Sequence, residues 1–249
     1  MTRTRKILLG LLGLVVVVLA GSFAYTRLAD APDAFDRDDL EQRLDSETTA
    51  ADSTPDTAAD TAPDSTPDTA PADTEVAPSG SLDGTWVVAE GSEVGYRVEE
   101  TINGFAVTAN GRTSEVTGSL LISGTTVTEG SFSVDMATVA SDESRRDGQF
   151  RGRIMAVDQF PTAEFVLTSP IEFGSPDATS ATATGDLTLR GVTRSVTVEV
   201  TTSRRDGRIG VLGQVPVVFA DFGIPNPSFA SIVTEDDGVL EFVLVLEPA

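Results

Sequence analysis

From Ser81 onward, apolar and polar residues alternate with a period of two. In "SFSVDMATV", Phe132, Val134 and Met136 fall on one side, with Ser133 and Asp135 on the other. "SVTVEV" sets Val196, Val198 and Val200 against Thr197 and Glu199, and "VLEFVLVLE" sets Leu240, Phe242, Leu244 and Leu246 against Glu241 and Glu247. Similar runs surround Trp86, Tyr96, Ile122, Phe165, Leu187 and Val211. Successive side chains of a strand point to opposite faces, so this pattern predicts antiparallel strands with one buried and one wetted face. Turn signals separate the runs: "NG" at Asn103-Gly104 and Asn110-Gly111, "DG" at Asp206-Gly207, and "DDG" ending at Gly238. Residues 81–249 therefore predict a single all-β domain, a sandwich or a closed barrel. One stretch breaks the rhythm. Residues 139–160 contain "SDESRRDGQFRGRIMAVDQF", which predicts one or two helical turns before Pro161, with Ser141 or Asp142 as cap and Glu143 in the first turn.

Upstream the pattern changes twice. "MTRTRK" precedes "ILLGLLGLVVVVLAGSFAY", an uncharged run over residues 7–25 of the length that crosses a bilayer core as a helix. The basic residues before it predict a cytoplasmic N-terminus, an anchor over residues 1–29 and a domain on the outer side. The rival reading is a signal peptide cleaved after Val18-Leu19-Ala20, which secretes the same domain. Residues 30–80 are acidic and rich in Pro, Thr and Asp, with a degenerate repeat, "STPDTAADTAPDSTPDTAPADT". With almost nothing to bury, such a segment does not offset its ordering entropy and predicts a disordered linker spanning on the order of 40 Å. Its functional reading is an O-glycosylated stalk, its plain reading a spacer. "DAFDRDDLEQRL", before the repeat, predicts a short helix at the membrane surface.

Composition narrows the chemistry. The chain has neither cysteine nor histidine, which removes disulfides, thiolate nucleophiles, the commonest metal ligands and every Ser-His-Asp arrangement. Its 39 acidic and 17 basic residues, net −22, argue against nucleic acid as a partner, since phosphate binding needs a basic face. "TEDDG" over residues 234–238 lacks the spaced oxygen ligands of a calcium loop and reads as a solvated hairpin. Nothing pairs two carboxylates for hydrolysis. The expectation is no catalytic residue, no metal and no cofactor.

Several stretches then occur in a telling order: "GTWVV", "EVGYRV", "SRRDGQFRG" followed by "FPTAEF", "TGDLTLRGVTRSVTVEV", "DFGIPNPS" and the terminal "GVLEFVLVLE". Together they resemble the YceI-like family of lipid- and polyisoprenoid-binding proteins, with "TGDLTLRGVTR" the most specific match and coverage from Ser81 to Glu247. The resemblance implies a lipocalin-like antiparallel β-barrel with one short helical connection, holding a long isoprenoid of quinone or polyprenol type, and no enzymatic reaction.

The alternation supplies the inner face: Phe132, Val134, Met136, Phe165, Leu167, Leu187, Leu189, Phe242 and Leu244, joined by Phe150 from the helical connection. These ten are the candidate ligand-binding residues. Each buried CH₂ contributes about 0.8 kcal/mol, so a hydrocarbon is held there without any polar contact. The alternative is that the same side chains fill the barrel as a dry core, leaving a surface interaction or stress-response module with a protein partner. Arg145, Arg146, Arg151 and Arg153 raise a second choice. They form either an anion clamp at the barrel mouth, with Arg190 and Arg194 nearby, or a structural corner in which Arg146 and Asp147 tie the connection to neighbouring strands. The resemblance favours the corner, because the family keeps an Arg-Asp pair there whatever its ligand.

Overall fold

The computed structural model describes residues 31–45, 81–175 and 179–249. The expected anchor, residues 1–29, and linker residues 46–80 lie outside them. Among the described residues no helix is long and apolar enough to cross a membrane.

Twelve strands follow one another: β1 (Gly84–Val88), β2 (Glu93–Ile102), β3 (Phe105–Thr113), β4 (Val116–Ser123), β5 (Thr126–Asp135), β6 (Thr162–Leu167), β7 (Ile171–Glu172), β8 (Ser180–Leu189), β9 (Val192–Arg205), β10 (Arg208–Val218), β11 (Ile232–Thr234) and β12 (Asp237–Pro248). The order β1-β4-β5-β6-β8-β9-β10-β12 closes through pairing of β1 with β12, giving an eight-stranded antiparallel barrel. The expected barrel, rather than a sandwich, is what forms. β1 and β2 lie end to end along one edge of β12, through Trp86↔Pro248 and Arg97↔Val239. β3 continues beside β2, and β4 beside β1.

The registers define two ends. Ile102↔Phe105, Asp135↔Thr162, Leu189↔Val192 and Val218↔Asp237 lie at one, called here the upper end. Gly84↔Ile122, Ser123↔Thr126 and Arg205↔Arg208 lie at the lower. Strand β8 shows why the chain closes this way. Ala183, Gly185, Leu187 and Leu189 are buried inside, while Thr184 and Thr188 face Thr197 and Thr193 outside at 3.2 and 2.8 Å. Two of the predicted turns are hairpin tips with both central residues at positive φ: Asn103-Gly104 (52° and 87°) and Asp206-Gly207 (51° and 79°). Asn110-Gly111 is not a turn. It lies within β3 opposite Arg97 and Tyr96, and a Cβ on Gly111 would sit 2.6 Å from the Tyr96 ring. The glycine is there for close approach.

The helical connection exists, as helix α2 (Ser144–Gln149) running into a π-turn over Phe150–Ile154. Its cap is Glu143, which accepts from the Arg145 amide at 3.1 Å, in place of Ser141 or Asp142. Arg146 pairs with Asp142, and Asp147 accepts from the Ser141 amide and hydroxyl at 2.9 and 2.6 Å. The Arg-Asp corner thus ties the connection to itself and not to neighbouring strands. The segment covers the side of the barrel between β3 and β6, bridged by Arg112↔Ala140 and by the Met136 amide donating to Pro161.

The expected linker needs a larger correction. Residues 31–45 pack on the barrel. Helix α1 (Arg37–Asp45) starts with a reciprocal box in which Asp36 accepts from the Asp39 amide and Asp39 from the Asp36 amide, at 3.0 and 2.9 Å. Phe35, Leu40 and Leu44 are buried, with Phe35 and Leu40 in one cluster with Val243 and Leu212. The helix, expected at a membrane surface, therefore packs its apolar face on the outer surface of β10 and β12. Its pairing changes the outer face of β12: Glu241, expected in water, is 0% exposed. Asp45 pairs with Arg205 at the lower end, and Asp83 accepts from the Gly124 amide at that same end.

Candidate functional site

The barrel is hollow. A cavity of about 590 Å³ runs between an upper core (Leu189, Val217, Phe219 and Phe222 among others) and a lower one (Leu82, Trp86, Ile122, Val127 and Leu246). All ten predicted residues line it: Phe132, Val134 and Met136 on β5, Phe150 on the π-turn, Phe165 and Leu167 on β6, Leu187 and Leu189 on β8, Phe242 and Leu244 on β12. The alternative of a barrel filled by its own side chains is contradicted by this space. Ring-bearing residues stand where facing positions are small: Phe165 over Gly185 and Phe242 over Gly213.

Tyr96 is the wall residue that the sequence reading missed as a site. Its ring stacks on Phe150, with centroids 5.1 Å apart and planes within 8°. Burial pushes the phenol up to about 12, with the charge of Arg146 opposing. It remains a neutral hydroxyl across the physiological range, standing between Val94 and Val98 along its strand of the cavity wall. The signal in the sequence was its place in "EVGYRV", on the same side of the alternation as Val94 and Val98, which also line the cavity. Charged residues reach the wall only where they are exposed or half-exposed: Glu100, Glu143, Arg145, Arg146, Glu164 and Arg204.

The four arginines of the connection do not converge. Arg145 and Arg146 border the cavity, but Arg146 is engaged by Asp142. Arg153 donates to the Pro227 carbonyl at 3.0 Å, and Arg151 is exposed. Arg190 donates to the Gly223 carbonyl, which fixes the helical turn Phe219–Phe222, and Arg194 to that of Thr193. No anion clamp is assembled from these residues. "TEDDG" is closed by Asn226, whose amide donates to Thr234 and to Asp236 at 2.9 Å each. Among the described residues no group of three or more acidic side chains is placed to hold a metal ion.

A model of the YceI-like domain matches residues 86–246. A UPF0312 protein of Shewanella denitrificans is 32% identical over 123 residues, covering 46% of this chain, and the match spans 63% of that protein's length. BcnA of Burkholderia cenocepacia has the same fold at a TM-score of 0.53, with 19% identity, 64% of this chain and 98% of the other superposed. A polyisoprenoid binding domain from Saccharophagus degradans, implicated in plant cell wall breakdown, aligns at 0.52 with 17% identity, over 67% and 99% of the two chains. With the motifs around "TGDLTLRGVTR", the closed barrel and the matched span, the chain belongs to the YceI-like family.

Proposed function

We propose that the protein binds a long-chain isoprenoid lipid, of quinone or polyprenol type, inside its barrel at the outer face of the membrane, and does not transform it. The observation that carries this reading is the apolar wall that continues from Ile122 and Val127 below to Ile154 and Val217 above. An apolar cavity of about 150 Å³ already holds a benzene-sized guest. One of about 590 Å³ has room for several isoprene units. Their burial, at about 0.8 kcal/mol per CH₂, supplies affinity without a charged contact. The Tyr96 hydroxyl gives a terminal ligand oxygen one partner. The polyisoprenoid binding domain of the same fold supports the ligand class. The absence of histidine and cysteine from the sequence supports binding without catalysis.

Native mass spectrometry of the full chain, purified from detergent-solubilised membranes, tests it. The expected spectrum shows a single bound lipid per barrel, and solvent extraction returns an intact prenyl compound. A chain that carries none and takes up neither added ubiquinone nor added polyprenol would exclude the proposal.

A further inference from the structure

The upper end of the barrel carries apolar side chains that nothing in the fold covers. Phe105 is 72% exposed beside the β2–β3 tip, and Phe229 and Val233 are each 61% exposed on the neighbouring segment. Phe105 and Phe229 belong together through pairing: Phe105 faces Ile102, Ile102 faces Ile232, and Phe229 bridges Ile232, while Val233 lies on the opposite face of the same short strand. Phe229 also lines the cavity, so the same rim is a mouth. Single exposed hydrophobics are ordinary, but a contiguous group around a pocket entrance marks a contact surface. Its occupant follows from where the chain comes from. The Pro32 carbonyl accepts from Arg97 and that of Asp33 from Arg112, so the described chain begins, at Ala31, beside the middle of β2.

Only five residues, 26–30, separate this point from the apolar run of residues 7–25. At most roughly 3.6 Å per residue, the stretch from residue 25 to residue 31 spans no more than about 22 Å. From Arg97 to the upper tip at Ile102 is about 17 Å of strand, whereas from Arg97 down to Gly84 is roughly 40 Å. The lower end therefore cannot face a bilayer that holds residues 7–25; the upper end reaches it. We infer that the Phe105–Phe229 rim rests on the phospholipid surface, with the cavity mouth opening onto the membrane from which a lipid enters. Arg153, whose guanidinium holds the Phe229 segment through Pro227, and exposed Arg151 are placed for headgroup phosphates.

This inference rests on the reading of residues 7–25 as a retained anchor, and not on the identity of the cargo. The chain contains no cysteine, so single-site labelling is direct. The full chain is reconstituted into phosphatidylcholine–phosphatidylglycerol vesicles with an environment-sensitive NBD dye on Ser231→Cys (upper rim) or Ser123→Cys (lower end), both exposed positions. The upper dye should shift to the blue in vesicles relative to detergent and be quenched by spin-labelled lipid, and the lower dye should do neither. Adding Phe105→Ser and Phe229→Ser should abolish the upper shift while the protein still floats with the vesicles. Equal behaviour of the two dyes in floating protein overturns the docking and leaves the anchor standing. Failure to float overturns both. A blue shift that grows with protein concentration in detergent assigns the rim to a second copy of the chain, and overturns the membrane contact.

Discussion

Glu241, wholly out of water, accepts two hydrogen bonds from the guanidinium of Arg112, from Nε at 3.1 Å and from Nη2 at 2.8 Å. The ring of Phe35 lies over that guanidinium, 3.9 Å from its central carbon, and the Phe35 amide donates to the other carboxylate oxygen at 3.3 Å. The pair sits on the outside of the barrel wall, sealed there by the segment that leads into α1. Removing one partner leaves a buried charge alone. Arg112→Ala should therefore lower unfolding free energy by about 3–5 kcal/mol, whereas Arg112→Met with Glu241→Leu should stay close to the parent. Urea denaturation of the two variants decides it; a single variant within about 1 kcal/mol of the parent would show the site to be wet.

Helix α1 is held by Leu40 and Leu44, which are 0% and 1% exposed. Truncation of Leu40 to Ala should cost about 2–5 kcal/mol, the range for a buried leucine. Gly210→Ala should also loosen the helix, because the new Cβ would lie 2.5 Å from a Leu40 methyl. A loss under about 0.5 kcal/mol for Leu40→Ala, by thermal or urea unfolding, would mean that residues 31–45 behave as plain linker.

Ala183 faces the cavity from the middle of β8. Ala183→Phe places a ring in open space, so the barrel should keep its melting temperature within a few degrees while lipid uptake drops at least tenfold. Competition with a fluorescent fatty probe measures the second quantity. Retained uptake in a folded variant would place the lipid elsewhere.

Tyr96 ties stability to pH. Its folded-state value is raised by burial from 10 to about 12, so the native protein holds this proton more tightly than the unfolded chain. The stabilisation is fully present below pH 10 and is lost as pH rises towards about 12, by on the order of 2 kcal/mol. Tyr96→Phe should flatten that decline in unfolding measured between pH 9 and pH 12. The same variant should weaken a ligand with a terminal oxygen about tenfold and leave a plain hydrocarbon unaffected. Parallel losses for both ligands would show that the hydroxyl plays no part in recognition.

Much of this architecture was legible because period two is a local property. Leu187 and Leu189 announce their face within five residues, and all ten predicted wall positions do line the cavity. What alternation cannot tell is what lies against a strand's other face. Glu241 read as a wetted position, yet a segment some 200 residues earlier buries it, and Val243 beside it. "NG" at Asn110-Gly111 misled for a similar reason: the dipeptide has turn chemistry, but its glycine answers to Tyr96 across the sheet. Hollowness was undecided by pattern, since an apolar inner face serves a dry core and a lipid equally well. Only the diameter of the closed ring distinguishes them.

The segment 46–80, which contains the acidic repeat, joins Asp45 to Ser81, and both of those residues belong to the lower end of the barrel. In the docking proposed above, its length is thus uncoupled from how far the body stands from the lipid. Doubling the length of a chain segment that joins two fixed points costs only about 0.6 kcal/mol, so a reporter grafted between Asp45 and Ser81 should leave the barrel folded. Adding residues between 26 and 30 has the opposite character: under the same proposal, each one slackens a short leash.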